Sequence, residues 1–232
     1  MKKPVIGILC GVSELDYKER KITQFYTFND YNTAVLKHNG IPILITPPKE
    51  IDYAKTKKED ITPLTDEEKS VLIDALSICD GFIMPGGSKT FEHNYFIDSY
   101  LKEHNIPTLG ICLGMQVMAI NETKQKPVRL ANDNHFRTNH DVKITGKILK
   151  NILNKELINV NSYHFYNMLD VGSYTISALS PDGVIEAIED DNSLFRLGVQ
   201  WHPERDIENE NSKKIFETFI NAAIEYKNKK NK

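Results

Sequence analysis

Cys112 lies where the residue types and their spacing indicate a nucleophile. Residues 110–116 read GICLGMQ, so a glycine stands two positions to either side of this cysteine. The apolar segment 106–111 predicts a buried strand, and residues 115–120 suit a helix. A reactive side chain on the sharp turn between them is the arrangement of the nucleophile elbow, here with sulfur in place of a hydroxyl. Because a helix N-terminus favours both a thiolate and an oxyanion, we predict a nucleophile rather than a small buried side chain.

A thiolate needs a base, and residues 198–204 (GVQWHPE) supply the best candidate. His202 and Glu204 are separated by a proline that holds the chain extended, which puts both side chains on the same side of the backbone. Glu204 could therefore accept a hydrogen bond from one imidazole nitrogen and leave the other facing Cys112. For a His-x-Glu pattern taken alone, a solvated surface pair is the alternative.

The remaining histidines show no compact spacing that would indicate a metal site. They are His38, His93, His104, His135, His140 and His164. We therefore expect no zinc site and no other bound metal.

Composition narrows the class of protein. The chain has 232 residues, 40% of them hydrophobic and 26% charged, which is typical of a soluble globular protein. Its net charge of −3 gives no general attraction to nucleic acid or to an anionic membrane. Its three widely spaced cysteines do not suggest a disulfide framework, and no apolar run is long enough for a signal peptide or a membrane span. We expect one cytoplasmic domain covering residues 1–232.

Strands and helices alternate through the first half of the chain. Apolar runs predict strands at 5–9, 41–45, 81–84 and 106–111, with helices after each, including one over 95–104 and one opened by a capping box at 65–68. This order predicts an α/β fold with a doubly wound, mostly parallel sheet flanked by helices.

The second half predicts further short strands, at 142–144, 157–160, 174–178, 184–188 and 194–199, with a hairpin-type turn at 180–183. We expect these to add short antiparallel strands to the sheet. Ser212 is predicted to cap a final helix, and the charged tail 227–232 is predicted to be a frayed, solvated end.

Three motifs together resemble the hallmark motifs of class I glutamine amidotransferases. They are residues 85–87 (PGG), 110–116 (GICLGMQ) and 198–204 (GVQWHPE), and they occur in the same order as in that superfamily. The opening segment 3–8 and residues 160–164 (VNSYH) are similar to its γ-glutamyl hydrolase branch, the peptidase C26-like family that includes the γ-glutamyl-γ-aminobutyrate hydrolases. The resemblance covers nearly the whole chain and implies a flavodoxin-like fold.

The resemblance implies a role for each matching residue. Cys112 would be the nucleophile, His202 the base and acid, and Glu204 the carboxylate that orients the imidazole. The backbone amides of Gly87 and Leu113 would form the oxyanion hole. Their positions in the chain support both assignments, since Gly87 comes after a strand and Leu113 directly follows the nucleophile. Residues implied in substrate binding are Gly86, Gln116, Ser162, Tyr163 and His164. For Gln116 a plain polar helix position is the alternative, and for Ser162 and His164 it is ordinary loop capping.

These roles imply a hydrolase that cleaves the γ-glutamyl amide bond of a small molecule through a γ-glutamyl thioester and releases glutamate. The resemblance implies neither a metal nor an organic cofactor. It implies no nucleic-acid or membrane partner, and it allows a homodimer. One alternative is a glutaminase subunit that delivers ammonia to a separate synthase partner. Another is a non-catalytic binding or stress protein on the same fold.

The sequence departs from the hydrolase branch in three loops that would build the leaving-group pocket. Residues 88–92 (SKTFE) replace a longer loop, residues 121–124 (NETK) replace a Gly-Gly, and Tyr166 stands where a glutamine is usual. These differences indicate a pocket unlike that of the γ-aminobutyrate enzymes, with the glutamyl end unchanged.

Overall fold

A computed structural model describes residues 2–18, 20–53, 55–57 and 60–230. The helices are α1 (Asn29–Lys37), α2 (Asp66–Ser77), α3 (Glu92–Glu103), α4 (Leu113–Thr123), α5 (Lys147–Leu153) and α6 (Glu210–Lys230). The strands are β1 (Val5–Leu9), β2 (Gly11–Tyr17), β3 (Arg20–Tyr26), β4 (Ile41–Ile45), β5 (Gly81–Met84), β6 (Thr108–Ile111), β7 (Val128–Arg129), β8 (Phe136–Ile144), β9 (Leu157–Tyr163), β10 (Tyr166–Asn167), β11 (Thr175–Leu179), β12 (Ile185–Glu189) and β13 (Arg196–Val199).

Nine strands form one sheet in the order β4-β1-β5-β6-β13-β12-β11-β8-β9. The first five of these pair in parallel, and the last four continue the sheet in antiparallel pairs. Strands β5, β6 and β13 are buried along their whole length, as expected for parallel strands covered on both faces. The predicted α/β fold with extra antiparallel strands is confirmed.

Helices cover both faces of this sheet. One apolar cluster packs residues of α1, α5 and α6 against the sheet, and a second packs α2, α3 and α4 against the opposite face. Residues that alternate along a strand point to opposite faces, so neighbours such as Ile83 and Met84 fall in different clusters. The carboxyl ends of β5, β6 and β13 therefore meet at one edge, where the three sequence motifs lie.

Several predicted element boundaries need correction. The helix expected over 95–104 begins three residues earlier, because the side chain of Asn94 accepts a hydrogen bond from the backbone N–H of Phe91 at 2.8 Å. Ser212 does not cap the final helix, which already begins at Glu210; Asn209 accepts from the Asn211 N–H at 2.9 Å instead.

The prediction of a frayed tail is wrong for residues 227–230. Helix α6 continues to Lys230, and Lys227 Nζ lies 2.7 Å from the buried carboxylate of Asp80. The sequence alone does not separate a charged helix end that binds a buried carboxylate from a charged end in solvent. Residues 231–232 lie outside the described part of the chain.

The polar, lysine-rich segment after β4, of which the structure describes residues 50–53, 55–57 and 60–63, packs against its neighbours. Tyr53 is buried, with its ring 5.2 Å from that of Phe91 and 6.2 Å from that of Phe25. Phe25 belongs to the β2–β3 hairpin, which the sequence did not predict. The hairpin and this segment thus pack together beside the carboxyl edge of the sheet.

Among the described residues, no helix is long and apolar enough to cross a membrane.

A buried ionic network ties β13 to the two helices that flank the elbow. Arg196 of β13 is 1% exposed, pairs with Asp98 of α3 and donates from Nε to the Tyr174 hydroxyl at 2.7 Å. Asp98 also accepts from Asn121 of α4 at 2.9 Å. One carboxylate therefore joins the strand that leads to residues 198–204 with the helix that follows Cys112.

We predict that Asp98→Ala lowers the free energy of unfolding by about 3–5 kcal/mol, because it leaves the Arg196 guanidinium buried without its counter-ion. Glu122→Ala is the matched control: it removes an outer carboxylate that binds Lys102 at 2.6 Å, and it should cost about 1 kcal/mol or less. Urea unfolding followed by circular dichroism measures both. Equal losses in the two variants would contradict a dominant role for the buried pair.

Candidate active site

The predicted elbow forms at Cys112, between β6 and α4. This residue has φ 52° and ψ −103°, a conformation with positive φ that is unusual for a side-chain-bearing residue and costs about 1–3 kcal/mol. The turn is held by a 2.8 Å hydrogen bond from the Cys112 N–H to the carbonyl of Val199 in β13. The cysteine is 7% exposed and lines a cleft at the sheet edge. Its sulfur therefore stands where a bound molecule can reach it.

Close packing explains the two glycines that flank the elbow. A Cβ atom at Gly114 would lie 2.0 Å from the carbonyl oxygen of Met84, which is impossible without moving β5 or α4. A Cβ atom at Gly110 would lie 2.5 Å from the sulfur of Met118. The pattern that first suggested a nucleophile is thus the pattern that lets α4 begin directly against the sheet.

His202 and Glu204 meet as the sequence predicted. The imidazole Nδ1 lies 2.6 Å from Glu204 Oε1, and both side chains are buried. The imidazole also interacts with the Cys112 thiol. The three side chains therefore form a Cys-His-Glu arrangement in which the carboxylate fixes the ring orientation.

The electrostatics of His202 favour its protonated form. Burial by itself would lower the pKa of His202, but its contacts with Cys112 and Glu204 outweigh burial and raise the pKa to about 9. An imidazolium beside sulfur stabilises a thiolate. The site can therefore hold a nucleophile and a general acid together at neutral pH.

Asn161 fixes the backbone of His202, a role that the sequence did not reveal. Its side-chain amide donates to the His202 carbonyl and accepts from the His202 N–H, each at 2.9 Å. Asn161 lies in the 160–164 segment, so the motif marked its neighbourhood. Its reciprocal pairing could not be foreseen because the two residues are 41 positions apart.

Tyr31 of α1 is a second residue that sequence reasoning missed. Its hydroxyl accepts a hydrogen bond from the Gly86 N–H at 2.9 Å, which anchors the loop after β5. Burial and the nearby charge of Glu204 raise the pKa of Tyr31 well above its ordinary value, so the phenol stays protonated beside that carboxylate. No local pattern distinguishes Tyr31 from the other apolar-face residues of its helix.

The proposed oxyanion donors come together at the cleft. Gly87 and Leu113 both line it beside Cys112, and a Cβ atom at Gly87 would approach the Leu113 side chain to 3.1 Å. Leu113 is the first residue of α4, so its N–H has no acceptor within the helix. The Gly86 amide, in contrast, is already bonded to Tyr31, and a Cβ atom there would lie 2.7 Å from the His202 ring.

The cleft above Cys112 has a volume of approximately 1260 Å³ and a distinctive lining. Its aromatic residues are Tyr53, Phe91, Tyr95, Tyr163, Phe165 and Tyr166. Its charged residues are Lys55, Lys57, Lys89, Lys124 and Lys126, and no carboxylate stands among the described lining residues. A ligand in this cleft therefore meets aromatic faces and positive charge.

The residues expected to bind substrate occupy different environments. Gln116, Tyr163 and His164 line the cleft, and the Gln116 side chain donates to the Gln200 side-chain oxygen at 3.0 Å. Ser162 is fully buried, with its hydroxyl donating to the His135 carbonyl at 2.7 Å, so that hydroxyl is directed into the protein rather than toward a ligand. The imidazole of His164 is likewise directed inward, to 3.5 Å from Glu186, and not to Cys112.

Comparisons with known proteins show which families this chain is similar to. The peptidase C26 family model matches residues 93–204. The γ-glutamyl-γ-aminobutyrate hydrolase PuuD of Escherichia coli is 26% identical over 96% of this chain and 94% of its own length. The CTP synthase of Chlamydia muridarum is 26% identical over 72% of this chain, which corresponds to 38% of that longer protein.

The fold is also found among solved structures. The glutaminase domain of Trypanosoma brucei CTP synthase, determined with bound acivicin, superposes with a TM-score of 0.66. The alignment covers 96% of this chain and 94% of that domain, at 20% sequence identity. The resemblance recognised from the three motifs is therefore confirmed at the level of fold and family match: the chain has the fold of a glutamine amidotransferase domain, and its residues 93–204 match the peptidase C26 family model.

Proposed function

We propose that this protein is a cysteine-dependent hydrolase that cleaves the γ-glutamyl amide bond of a γ-glutamyl amine or glutamine-like substrate and releases glutamate. The observation that carries the proposal is Cys112 on its strained elbow, interacting with a His202 whose other ring nitrogen is held by Glu204 at 2.6 Å. A binding or stress protein on the same fold would need neither the imidazole nor its carboxylate in this register.

The proposed reaction uses only groups of this chain. The Cys112 thiolate attacks the γ-carbonyl carbon, and the amides of Gly87 and Leu113 stabilise the resulting oxyanion. The His202 imidazolium gives its proton to the leaving amine as the carbon–nitrogen bond breaks, which leaves a γ-glutamyl thioester. Neutral His202 then takes a proton from water as the water attacks the thioester, and collapse of the second tetrahedral intermediate releases glutamate and the thiolate.

The amine half of the substrate would lie along the aromatic and lysine-lined part of the cleft. Gln116 lies one helical turn after Cys112 and lines the same cleft, so we assign it to the glutamyl half of the substrate. Residues 88–91 of the loop after β5 line the cleft as well, together with Tyr166. An amine carrying a carboxylate would suit the lysine side chains by charge.

A glutaminase that feeds ammonia to a separate synthase is the second candidate, and the similarity to CTP synthases favours it. The two candidates differ in whether the isolated chain hydrolyses its substrate without a partner. If the protein is a stand-alone hydrolase, the purified protein should release glutamate from a panel of γ-glutamyl amides without any partner. A rate confined to free glutamine, and rising sharply only when a synthase is added, would favour the second candidate.

We predict that Cys112→Ala lowers glutamate release by about four orders of magnitude or more while the fold is retained, since alanine is small enough for the same turn. Cys79→Ala is the matched control, because that thiol is buried away from the cleft and burial raises its pKa to about 12. Coupled glutamate detection measures the rate, and near-ultraviolet circular dichroism checks the fold. Appreciable turnover by the Cys112 variant would exclude the covalent route.

The pH profile should show when His202 loses its proton. Because the pKa of His202 is raised from its ordinary value to about 9, the imidazolium predominates below that pH and kcat/KM should fall as pH rises through about 9. Glu204→Gln removes the negative charge that supports the imidazolium, so we predict that the alkaline limb moves to lower pH. The exposed change Glu208→Gln should leave the limb in place. An unshifted limb in the Glu204 variant would contradict the assigned pairing.

The lysine side chains of the cleft should recognise charge on the amine. We predict that Lys89→Ala with Lys126→Ala raises KM roughly 10-fold for γ-glutamyl-γ-aminobutyrate, and much less for the matched carboxamide γ-glutamyl-4-aminobutanamide, because only the first carries a carboxylate there. Lys69→Ala, on the exposed surface of α2, is the control. Equal effects on both substrates would show that these lysines do not read the charge of the amine.

A further inference from the structure

Four side chains that are far apart in the sequence converge inside the antiparallel half of the sheet. His135 precedes β8, His140 lies within β8, His164 follows β9, and Glu186 lies in β12. One nitrogen of each ring lies near Glu186 Oε1: His135 Nδ1 at 3.1 Å, His140 Nε2 at 3.3 Å and His164 Nε2 at 3.5 Å. The four facing atoms all lie within 4.8 Å of one another. We call this group the His3Glu cluster.

Three residues of the His3Glu cluster are buried and the His140 side chain is 16% exposed, yet the facing atoms make no hydrogen bonds to one another or to other described residues. Glu186 has no exposed surface, and His135 and His164 are each 3% exposed. Both Glu186 oxygens and the three inward ring nitrogens lack a hydrogen-bond partner of acceptable geometry within the described chain. Buried polar groups left in this condition are costly, so the cluster calls for a ligand that satisfies all of them together.

The outward nitrogen of each ring shows which tautomer is present. Each contacts an oxygen that can only accept: His135 Nε2 meets Asp182 Oδ2 at 3.0 Å, His164 Nδ1 meets the Tyr166 carbonyl at 3.1 Å, and His140 Nδ1 meets the Asp141 carbonyl at 3.3 Å. The outward nitrogens must therefore carry the protons. In the neutral rings, the inward nitrogens then present lone pairs to one another and to a carboxylate.

We propose that the His3Glu cluster binds one divalent transition-metal ion, with zinc as the expected metal. Zinc in proteins is bound tetrahedrally by imidazole nitrogen and carboxylate oxygen at about 2.0–2.2 Å, which places neighbouring ligand atoms about 3.3 Å apart. The three nitrogen-to-oxygen distances of 3.1, 3.3 and 3.5 Å match that spacing. Three imidazoles disfavour magnesium or calcium, which take oxygen ligands.

The contacts outside the cluster are those that metal-binding histidines commonly make. Such histidines usually donate their second ring nitrogen to a carboxylate or a backbone carbonyl, which orients the ring and fixes its tautomer. Asp182 does this for His135, and backbone carbonyls do it for the other two rings. The sequence prediction of no zinc site rested on spacing alone, and it did not anticipate that three strands would bring these residues together.

The metal would hold one wall of the cleft and take no part in the reaction. His164 and the neighbouring Tyr163 both line the cleft, and the His164 N–H and the Ser162 hydroxyl both donate to the His135 carbonyl, at 2.9 Å and 2.7 Å. An ion joining His135 and His164 would reinforce this connection. None of the four ligands belongs to the Cys112, His202 and Glu204 set, so the proposal is independent of the proposed hydrolase activity.

The test is metal binding to protein stripped with a chelator, in a Cys112→Ala background that removes the cleft thiol as a competing ligand. Titration with Co²⁺ should give the intense visible absorption of a tetrahedral site, saturating at one ion per chain, and Zn²⁺ should displace it. Zn²⁺ should also raise the melting temperature, because binding to the folded state stabilises it. Sub-stoichiometric uptake without a rise in melting temperature would overturn the proposal. It would indicate that protons, and not a metal ion, join the facing atoms of the cluster.

Two variants locate the ion. Glu186→Gln keeps the shape but removes the charge, and His164→Ala removes one imidazole; each should weaken Co²⁺ binding at least about 100-fold. His104→Ala, which removes an exposed histidine of another region, should bind like the parent. Full binding by both cluster variants would place the ion elsewhere and overturn the assignment. Should a cluster variant fail to fold, as judged by circular dichroism, the stoichiometry and absorption of the parent still decide the outcome.

Discussion

The strained turn at Cys112 is the constraint on which the rest of the site depends. A cysteine with positive φ is unfavourable locally, so this conformation persists because the surrounding structure holds it in place. The Cys112 N–H is bonded into β13, and Gly114 places α4 so close to β5 that no side chain fits between them. The sheet thereby fixes the sulfur at the carboxyl edge of β6 and opens the start of α4 toward the cleft.

The other residues of the candidate site lie at the same edge of the sheet. Strands β5, β6 and β13 are parallel neighbours, so the loops that follow them emerge side by side. One loop carries Gly86 and Gly87, the second carries Cys112, and the third carries His202 and Glu204. Tyr31 and Asn161 then fix the first and third loops from α1 and β9. The first and third loops are therefore anchored from outside as well as by their own strands.

Charge is distributed unevenly between two neighbouring regions. The cleft carries lysines without a balancing carboxylate among its described lining residues, which suits a negatively charged ligand. Behind one of its walls, the His3Glu cluster concentrates lone pairs and a buried carboxylate, which suits a cation. His164 belongs to both regions: the residue lines the cleft while its ring faces Glu186. The fold thus separates two opposite electrostatic environments by a single segment of chain.

The sequence by itself determined the features that depend on local spacing. Apolar runs specify the parallel strands, the capping box at Thr65 and Glu68 specifies the start of α2, and the glycines around Cys112 specify the elbow. The His202–Glu204 pair was also accessible, because two residues on an extended chain face the same way. These inferences hold because their physical causes act over a few residues.

Only the tertiary structure decided the features that join distant segments. Tyr31, Asn161 and the Arg196–Asp98 pair act across 41 to 98 positions, and nothing near them in sequence marks their partners. The charged tail becomes a helix end because Asp80 is buried beside it, and Ser162 faces inward because strand β9 pairs with β8. The His3Glu cluster is the clearest case, since strand pairing, and not spacing along the chain, decides which ring nitrogens can meet.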